Sequence, residues 1–98
     1  MQIKHITASY TDDRGEIRDI LDHVEIDSST LITSKKGARR GDHYHKESEQ
    51  YLYVLSGKMQ LITQMPDSEP AQVILESGHL AYTPPLERHT FIAIEDST

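Results

Sequence analysis

The most informative stretch of the chain contains two histidines separated by one residue. It reads Gly37-Ala38-Arg39-Arg40-Gly41-Asp42-His43-Tyr44-His45-Lys46-Glu47-Ser48-Glu49-Gln50 and runs on as Tyr51-Leu52-Tyr53-Val54-Leu55-Ser56-Gly57. In an extended strand residues i and i+2 point to the same face, so His43 and His45 project together, about 7 Å apart at Cα. Two such imidazoles can converge on one cation. A pair of half-exposed strand histidines is the plainer alternative.

Composition limits what the protein can be. The chain has 98 residues, of which 36% are hydrophobic, and it carries a net charge of −6 with no cysteine. This length predicts one domain, and the thin core favours a homodimer. The acidic balance argues against nucleic-acid binding, and no apolar run predicts a membrane span or secretory signal, so a cytoplasmic location is expected. Without thiolates, any metal must bind nitrogen and oxygen ligands.

Short β-branched and aromatic segments, separated by Gly and Pro, predict an all-β sandwich or barrel. The predicted strands are Gln2–Ile6, Thr30–Thr33, Gln50–Leu55, Lys58–Gln64, Gln72–Leu75, His79–Thr83 and His89–Ile94. We expect Lys58–Gln64 to return as the hairpin partner of Gln50–Leu55 through Ser56-Gly57. Thr11–Gly15 reads as a turn. Glu16–Asp27 fits either a helical face or a strand, and the β context favours the strand.

Two patterns of glycine, histidine and proline follow each other along the chain. The first is Gly37-(five residues)-His43-Tyr44-His45-(four residues)-Gln50-(six residues)-Gly57, and the second is Gly78-(five residues)-Pro84-(four residues)-His89. Together they resemble the two motifs of the cupin family. The resemblance implies one domain over residues 1–98, an all-β double-stranded β-helix (a jelly-roll barrel) of about seven or eight short antiparallel strands. The chain departs from the second motif at Leu86 and Ala93, which we interpret as packing positions.

In cupins, the histidines of both motifs and an acid of the first converge on a divalent metal inside the barrel. The resemblance therefore implies His43, His45 and His89 as ligands of a divalent first-row ion (Zn, Mn, Fe, Ni or Cu), beside a small carbonyl, carboxylate or sugar-type ligand. The family's acid is replaced here by Gln50, with Glu49 one residue earlier. Because a one-residue shift reverses the facing of a strand, three alternatives stay open. Gln50 binds through its amide oxygen, Glu49 reaches in through a bulge, or the metal is weakly held or absent.

A second resemblance lies within the first motif. Arg40-Gly41-Asp42-His43-Tyr44-His45-Lys46, with Gln50 and the earlier Asp13-Arg14-Gly15, is similar to cupins of sugar-nucleotide and capsular-polysaccharide biosynthesis. Some of these are keto-isomerases of nucleotide-linked deoxysugars whose histidines act as general acid and base without metal. This implies His43 and His45 as catalytic residues.

Three functions are thus open. The leading one is a metal-binding cupin, which as an enzyme would be a metal-dependent dioxygenase or isomerase. The second is the metal-free nucleotide-sugar isomerase, and the third is a ligand-sensing module without turnover.

Two further features carry expectations. The basic cluster Lys35, Lys36, Arg39 and Arg40 reads either as a solvated loop or as a diphosphate or carboxylate clamp beside the barrel mouth. A final strand is expected where the chain ends at Thr98, and it is either missing or supplied by another subunit.

Overall fold

The computed structural model describes residues 1–43 and 47–98, and at His43 it describes the backbone. Nine short strands make up its regular structure, and no described residue is helical. The strands are β1 (Gln2–His5), β2 (Tyr10–Asp12), β3 (Gly15–Ile17), β4 (Arg39–His43), β5 (Gln50–Tyr53), β6 (Lys58–Gln64), β7 (Ala71–Glu76), β8 (His79–Thr83) and β9 (Arg88–Ala93). The predicted all-β class is confirmed.

The strands form two main antiparallel sheets and one hairpin. The order is β1-β8-β5 in the three-stranded sheet and β4-β9-β6-β7 in the four-stranded sheet, while β2 pairs with β3. From β4 onward the chain passes repeatedly between the two main sheets, as expected for a jelly roll. This path gathers the ends of strands that are distant in sequence.

The core lies between the two main sheets and follows strand alternation. On β6 and β9 the buried apolar side chains are Met59, Leu61, Phe91 and Ala93, each separated from the next on its strand by one less buried or polar residue. Leu75 of β7 and Ala81 of β8 complete the buried set with Val54. These side chains point to the inner face of each sheet. Residues that alternate in step with them along a strand also face inward, and we call these positions the inner parity of the strand.

The predicted hairpin of Gln50–Leu55 with Lys58–Gln64 is wrong. β5 pairs with β8, whereas β6 pairs with β7 and β9, so the two segments lie in different sheets. The residues between them cross the core, because Val54 is fully buried and exchanges backbone hydrogen bonds with Gly78 and His79. A tight turn would have left Val54 exposed at a hairpin tip.

Other strand bounds also differ from expectation. Thr30–Thr33 is not a strand, and only its neighbour Ser34 forms an isolated bridge, to Ser97. Of Glu16–Asp27, only the first two residues are extended, in β3, and the remainder is irregular. Arg39–His43 forms a strand even though Gly41 lies within it. Gly41 has a φ of 98° and lies where the pairing of β4 with β9 changes register.

The end of the chain contacts the segment that connects β5 to β6. The amide N–H of Leu55 donates to the carbonyl of Thr98 (2.9 Å), and the N–H of Thr98 donates to Ser56 (3.1 Å). The final residues thus begin to pair beside β5. None of the described residues belongs to a helix long and apolar enough to cross a membrane.

Candidate functional site

Strand ends from both main sheets meet at one end of the molecule, which we call the mouth. Here β4 and β6 end beside the start of β9, and β8 ends beside the start of β5. Several polar residues at these ends are buried, although the rest of the inner surface is apolar. They are Thr63 of β6, Thr83 of β8, His89 of β9 and Glu87, which precedes β9.

His89 lies on the inner face of the four-stranded sheet. It shares its parity on β9 with the core residue Phe91, and only 2% of its surface is exposed. The register places Thr63 beside it on β6 and the backbone of His43 opposite it on β4. Since directly opposed residues of an antiparallel pair occupy the same face, the register brings two of the predicted histidine positions together.

A bulge in β4 sets this register. The pairing with β9 shifts between Gly41 and His43, so Asp42 is the extra residue and takes a φ of 59°. Gly41 is required because a Cβ there would stand 2.6 Å from the backbone oxygen of His89. β4 therefore approaches β9 closely just before His43, which lets the two histidine positions come opposite each other.

The Asp42 carboxylate braces the bulge from outside. It accepts hydrogen bonds from the Arg39 guanidinium at 3.0 and 2.7 Å and from the Thr90 hydroxyl at 2.8 Å. The bonds from Arg39, and then the one from Thr90, hold the pKa of Asp42 well below its ordinary value. Arg39 is thus engaged with the protein itself. The Arg40 guanidinium donates to the Ser34 hydroxyl and the Thr33 carbonyl. The described contacts of both arginines are therefore with other parts of the protein, and they do not support the predicted diphosphate or carboxylate clamp.

The adjacent residues Glu49 and Gln50 face opposite sides of the three-stranded sheet. Gln50 pairs in register with the buried Thr83, so it belongs to the inner parity. The Glu49 carboxylate instead accepts a hydrogen bond from the hydroxyl of Tyr82, at 2.6 Å, on the outer face. That bond raises the pKa of Tyr82 to about 12. Of the two residues considered as the fourth ligand, Gln50 lies on the inner side and Glu49 is engaged outside.

Glu87 is a buried carboxylate that the sequence analysis did not single out. It is 4% exposed and lies in the connection from β8 to β9, two residues before His89. Its Oε2 accepts a hydrogen bond from the amino group of Met1 at 2.7 Å, whereas its buried Oε1 has no hydrogen-bond partner among the residues that the structure describes. The Met1 sulfur in turn accepts a 3.8 Å contact from the Thr63 hydroxyl. Glu87 therefore belongs to the mouth.

The two departures from the second motif behave differently. Ala93 is buried, as expected of a packing position. Leu86 is exposed and has a φ of 71°, so its interpretation as a packing position is wrong. A glycine takes this left-handed conformation without a steric cost, whereas leucine is strained in it.

The predicted metal ligands are only partly within the described chain. His45 lies outside the described residues, and at His43 the side chain does too. Within the rest, no three His, Cys, Asp or Glu side chains come close enough to hold a metal ion. A metal at the mouth would draw on His43, His45 and His89, with the neutral amide of Gln50.

Two surface hollows lie away from the mouth. One of about 360 Å³ sits on the outer face of the three-stranded sheet, between Lys4, Tyr51 and Tyr82. Another of about 300 Å³ opens beside β5, near Leu31 and Leu55, and reaches the core residues Met59 and Phe91 of the four-stranded sheet. Among the described residues His89 lines neither, so we place the candidate site by its buried polar groups rather than by the size of these hollows.

Comparison with protein families decides the classification. The model of the Cupin domain matches residues 30–98, which include both motifs and every strand of the four-stranded sheet. The chain belongs to the cupin family. No significant match is found among curated proteins.

Solved structures show the same fold as this cupin. It resembles the dTDP-4-dehydrorhamnose 3,5-epimerase of Sulfolobus tokodaii at 20% identity (TM-score 0.77), over 90% of this chain and 61% of that one. The corresponding epimerase of Elizabethkingia anophelis is 17% identical (TM-score 0.80), over 97% of this chain and 63% of that one. The cupin chain thus spans about three fifths of the length of these epimerases.

A third similar structure is QdtA, a sugar 3,4-ketoisomerase from Thermoanaerobacterium thermosaccharolyticum, in complex with TDP. It is 21% identical (TM-score 0.70), over 94% of this cupin and 70% of that chain. The resemblance to cupins of sugar-nucleotide biosynthesis, expected from the first motif, is confirmed at the level of fold.

The polar residues that the sequence analysis missed had a signal in the strand pattern. Thr63 continues the inner parity of Met59 and Leu61, and Thr83 continues that of Ala81. Threonine on an otherwise apolar inner parity marks the point where the barrel interior changes from core to site. Glu87 had no such signal, because the connection that buries it is irregular.

Proposed function

We propose that this cupin binds a nucleoside-diphosphate-linked keto sugar in the mouth and moves a proton on it, as an isomerase or epimerase. His43 and His45 would be the acid and base, with His89 beside them. The observation that carries the proposal is the register of β4 and β9, with the backbone of His43 opposite the buried His89. The similar epimerases and ketoisomerase supply the substrate class.

The proposed reaction moves protons only. A base removes the proton from the carbon next to the keto group, and the electron pair of that C–H bond forms the C=C bond of an enediol while an acid protonates the carbonyl oxygen. Isomerisation follows when the neighbouring hydroxyl loses its proton and the former carbonyl carbon gains one. Histidines suit both roles because their pKa lies near neutrality, and threonine hydroxyls beside them can bind the sugar oxygens.

Burial supports this chemistry. His89 and its neighbours Thr63 and Thr83 are nearly inaccessible to water. An enediol in such a site is protected from protons of bulk solvent, and hydrogen bonds to it are stronger than in water.

Binding tests the substrate class. We expect TDP-4-keto-6-deoxyglucose to raise the melting temperature of the protein, and His43→Asn to lower its rate of sugar isomerisation by at least about 100-fold. His23→Asn, at a fully solvent-exposed histidine, is the matched control. No stabilisation by this ligand, or by TDP, at millimolar concentration would contradict the proposal.

A metal-binding cupin is the second candidate. The same register favours it, since His43 and His89 occupy opposed positions and Gln50 lies on the inner parity. If a divalent first-row ion binds here, it would supply Lewis-acid chemistry, held by His43, His45 and His89 with the Gln50 amide oxygen. Elemental analysis of protein purified without a nickel column tests this: near-stoichiometric metal that is lost in His89→Ala supports it, and trace metal contradicts it.

A further inference from the structure

We propose that Glu87 is a substrate-binding residue of the mouth, whose Oε1 accepts a hydrogen bond from a hydroxyl group of the bound sugar. This inference rests on the proposed function and extends it to a residue outside both histidine motifs. It assigns to Glu87 the carboxylate role at the site that Gln50 does not provide.

The position of Glu87 supports this assignment. The residue is 96% buried, since 4% of its surface is exposed, and it lies in the connection that joins Thr83 to His89. Both of these neighbours are buried on the inner parities of their strands. A carboxylate fixed between them is held at the same end of the barrel as the candidate acid–base groups.

The contacts of Glu87 show which of its oxygens is engaged. Oε2 is bound by the Met1 amino group at 2.7 Å, and the Met1 sulfur contacts the hydroxyl of Thr63, the register neighbour of His89. Oε1 is buried, and no donor in the described part of the chain reaches it. Burial removes the water molecules that would otherwise donate to a carboxylate oxygen, and the loss is costly unless another donor replaces them. Buried carboxylate oxygens are therefore rarely found without a donor. A donor from a ligand would satisfy it.

Hydrogen-bonding capacity selects the part of the ligand that Glu87 can meet. A carboxylate oxygen only accepts hydrogen bonds, and the oxygens of a diphosphate also only accept them, so Oε1 gains nothing from the diphosphate of a nucleotide sugar. The hydroxyl groups of the sugar are neutral donors. Glu87 therefore fits the sugar end of the ligand, which is also the end that must reach the histidines.

Paired affinities test the inference. The variant Glu87→Gln keeps the size of the side chain and an oxygen for the Met1 amine, but it removes the charge and places an amide group in the site. We expect its affinity for TDP-4-keto-6-deoxyglucose to fall by about tenfold or more, with its affinity for TDP unchanged. Glu69→Gln, at an exposed loop residue, is the control and should change neither affinity.

A second variant guards against misfolding. Glu87→Asp retains the charge but withdraws the carboxylate by one methylene, and it should show the same selective loss. The inference is overturned if both variants bind the sugar nucleotide like the wild type, or if they lose sugar nucleotide and TDP to the same degree, as a structural role would cause. Failure of wild-type protein to bind either ligand would instead reject the proposed function, and this inference with it.

Discussion

At the scale of single residues, one position along a strand decides the role of a carboxylate. Glu49 and Gln50 are adjacent, yet one binds Tyr82 on the outer face and the other pairs with the buried Thr83. The alternation of a strand predicts that they differ in facing, but it cannot say which residue faces inward until the pairing partner is known. That partner, β8, is nearly thirty residues away, so the sequence left both alternatives open.

The bond from Tyr82 to Glu49 makes a prediction about alkaline pH. The pKa of Tyr82 is raised to about 12 because its hydroxyl donates to the Glu49 carboxylate. A pKa raised above the unfolded value means that this bond stabilises the fold fully below about pH 10, and that the contribution is lost as pH rises towards 12. In an absorbance titration Tyr82 should ionise late, and Glu49→Gln should lower the pKa of Tyr82 and move that late step to lower pH.

The control for this titration is Glu47→Gln, at a nearby exposed acid. It should leave the late tyrosine where it is. An unchanged titration in Glu49→Gln would show that the hydrogen bond does not exist in solution.

Two glycines have similar backbone angles but different surroundings, so replacing each with alanine distinguishes backbone strain from a steric clash of the added Cβ. Gly37 and Gly41 have φ values of 88° and 98°, so alanine is strained at both. A Cβ at Gly37 meets nothing within 4 Å, whereas at Gly41 it stands 2.6 Å from the backbone oxygen of His89. We expect Gly37→Ala to lower the free energy of unfolding by about 1 to 2 kcal/mol, and Gly41→Ala to lower it by about 1 to 3 kcal/mol more.

Chemical denaturation of both variants measures this difference. Gly41→Ala should also impair the site, because it displaces β4 just before His43. Equal losses of stability in the two variants would contradict the close approach of β4 to β9.

At the scale of elements, the sequence predicted extended segments far better than their partners. Lys58–Gln64 and His79–Thr83 have the predicted bounds, because local alternation and flanking glycines determine where a strand begins and ends. The pairing of β5 with β8 depends instead on Val54, whose burial draws the chain from one sheet to the other. A short glycine-containing link is compatible with both paths, so the hairpin prediction failed there.

Alternation on β7 gives a test of which face of the four-stranded sheet is inside. Leu75 is fully buried and Ile74, beside it, is 46% exposed. Removing the Leu75 side chain leaves a cavity between the sheets, so Leu75→Ala should reduce the free energy of unfolding by about 2 to 5 kcal/mol. Ile74→Ala should cost less than about 1 kcal/mol. Comparable losses measured by urea unfolding would contradict the assigned inner face.

At the scale of the whole molecule, short sequence patterns indicate where a candidate site lies, but they do not indicate every residue near it. The two histidine motifs point to His89 and to the end of β4, and their role in a site stays a prediction. Glu87 is near His89 in the sequence, but its burial in an irregular connection and its contact with Met1, far away in the sequence, appear only in the fold. No local pattern carries such a contact.

The outer surface gives a prediction about assembly. In the part of the chain that the structure describes, β5 has β8 on one side and no strand on the other. Leu31, Ile32 and Leu55 lie exposed along that side, which is unusual for an edge left in water. We expect a homodimer through this surface, with twice the mass of the chain in light scattering. Leu31→Glu should shift it towards monomer, and the exposed Ile26→Glu should not.

The most direct test of the central claim is solvent proton exchange on the sugar. TDP-4-keto-6-deoxyglucose is incubated with the protein in D₂O, and the hydrogens on the carbons beside the keto group are followed by NMR. We expect deuterium incorporation at one of these carbons well above the rate in buffer, lost in His43→Asn and retained in His23→Asn. If folded protein binds the ligand but deuterium is incorporated only at the rate in buffer, the proposed proton transfer is contradicted. The ligand-sensing module without turnover would then be the function that fits.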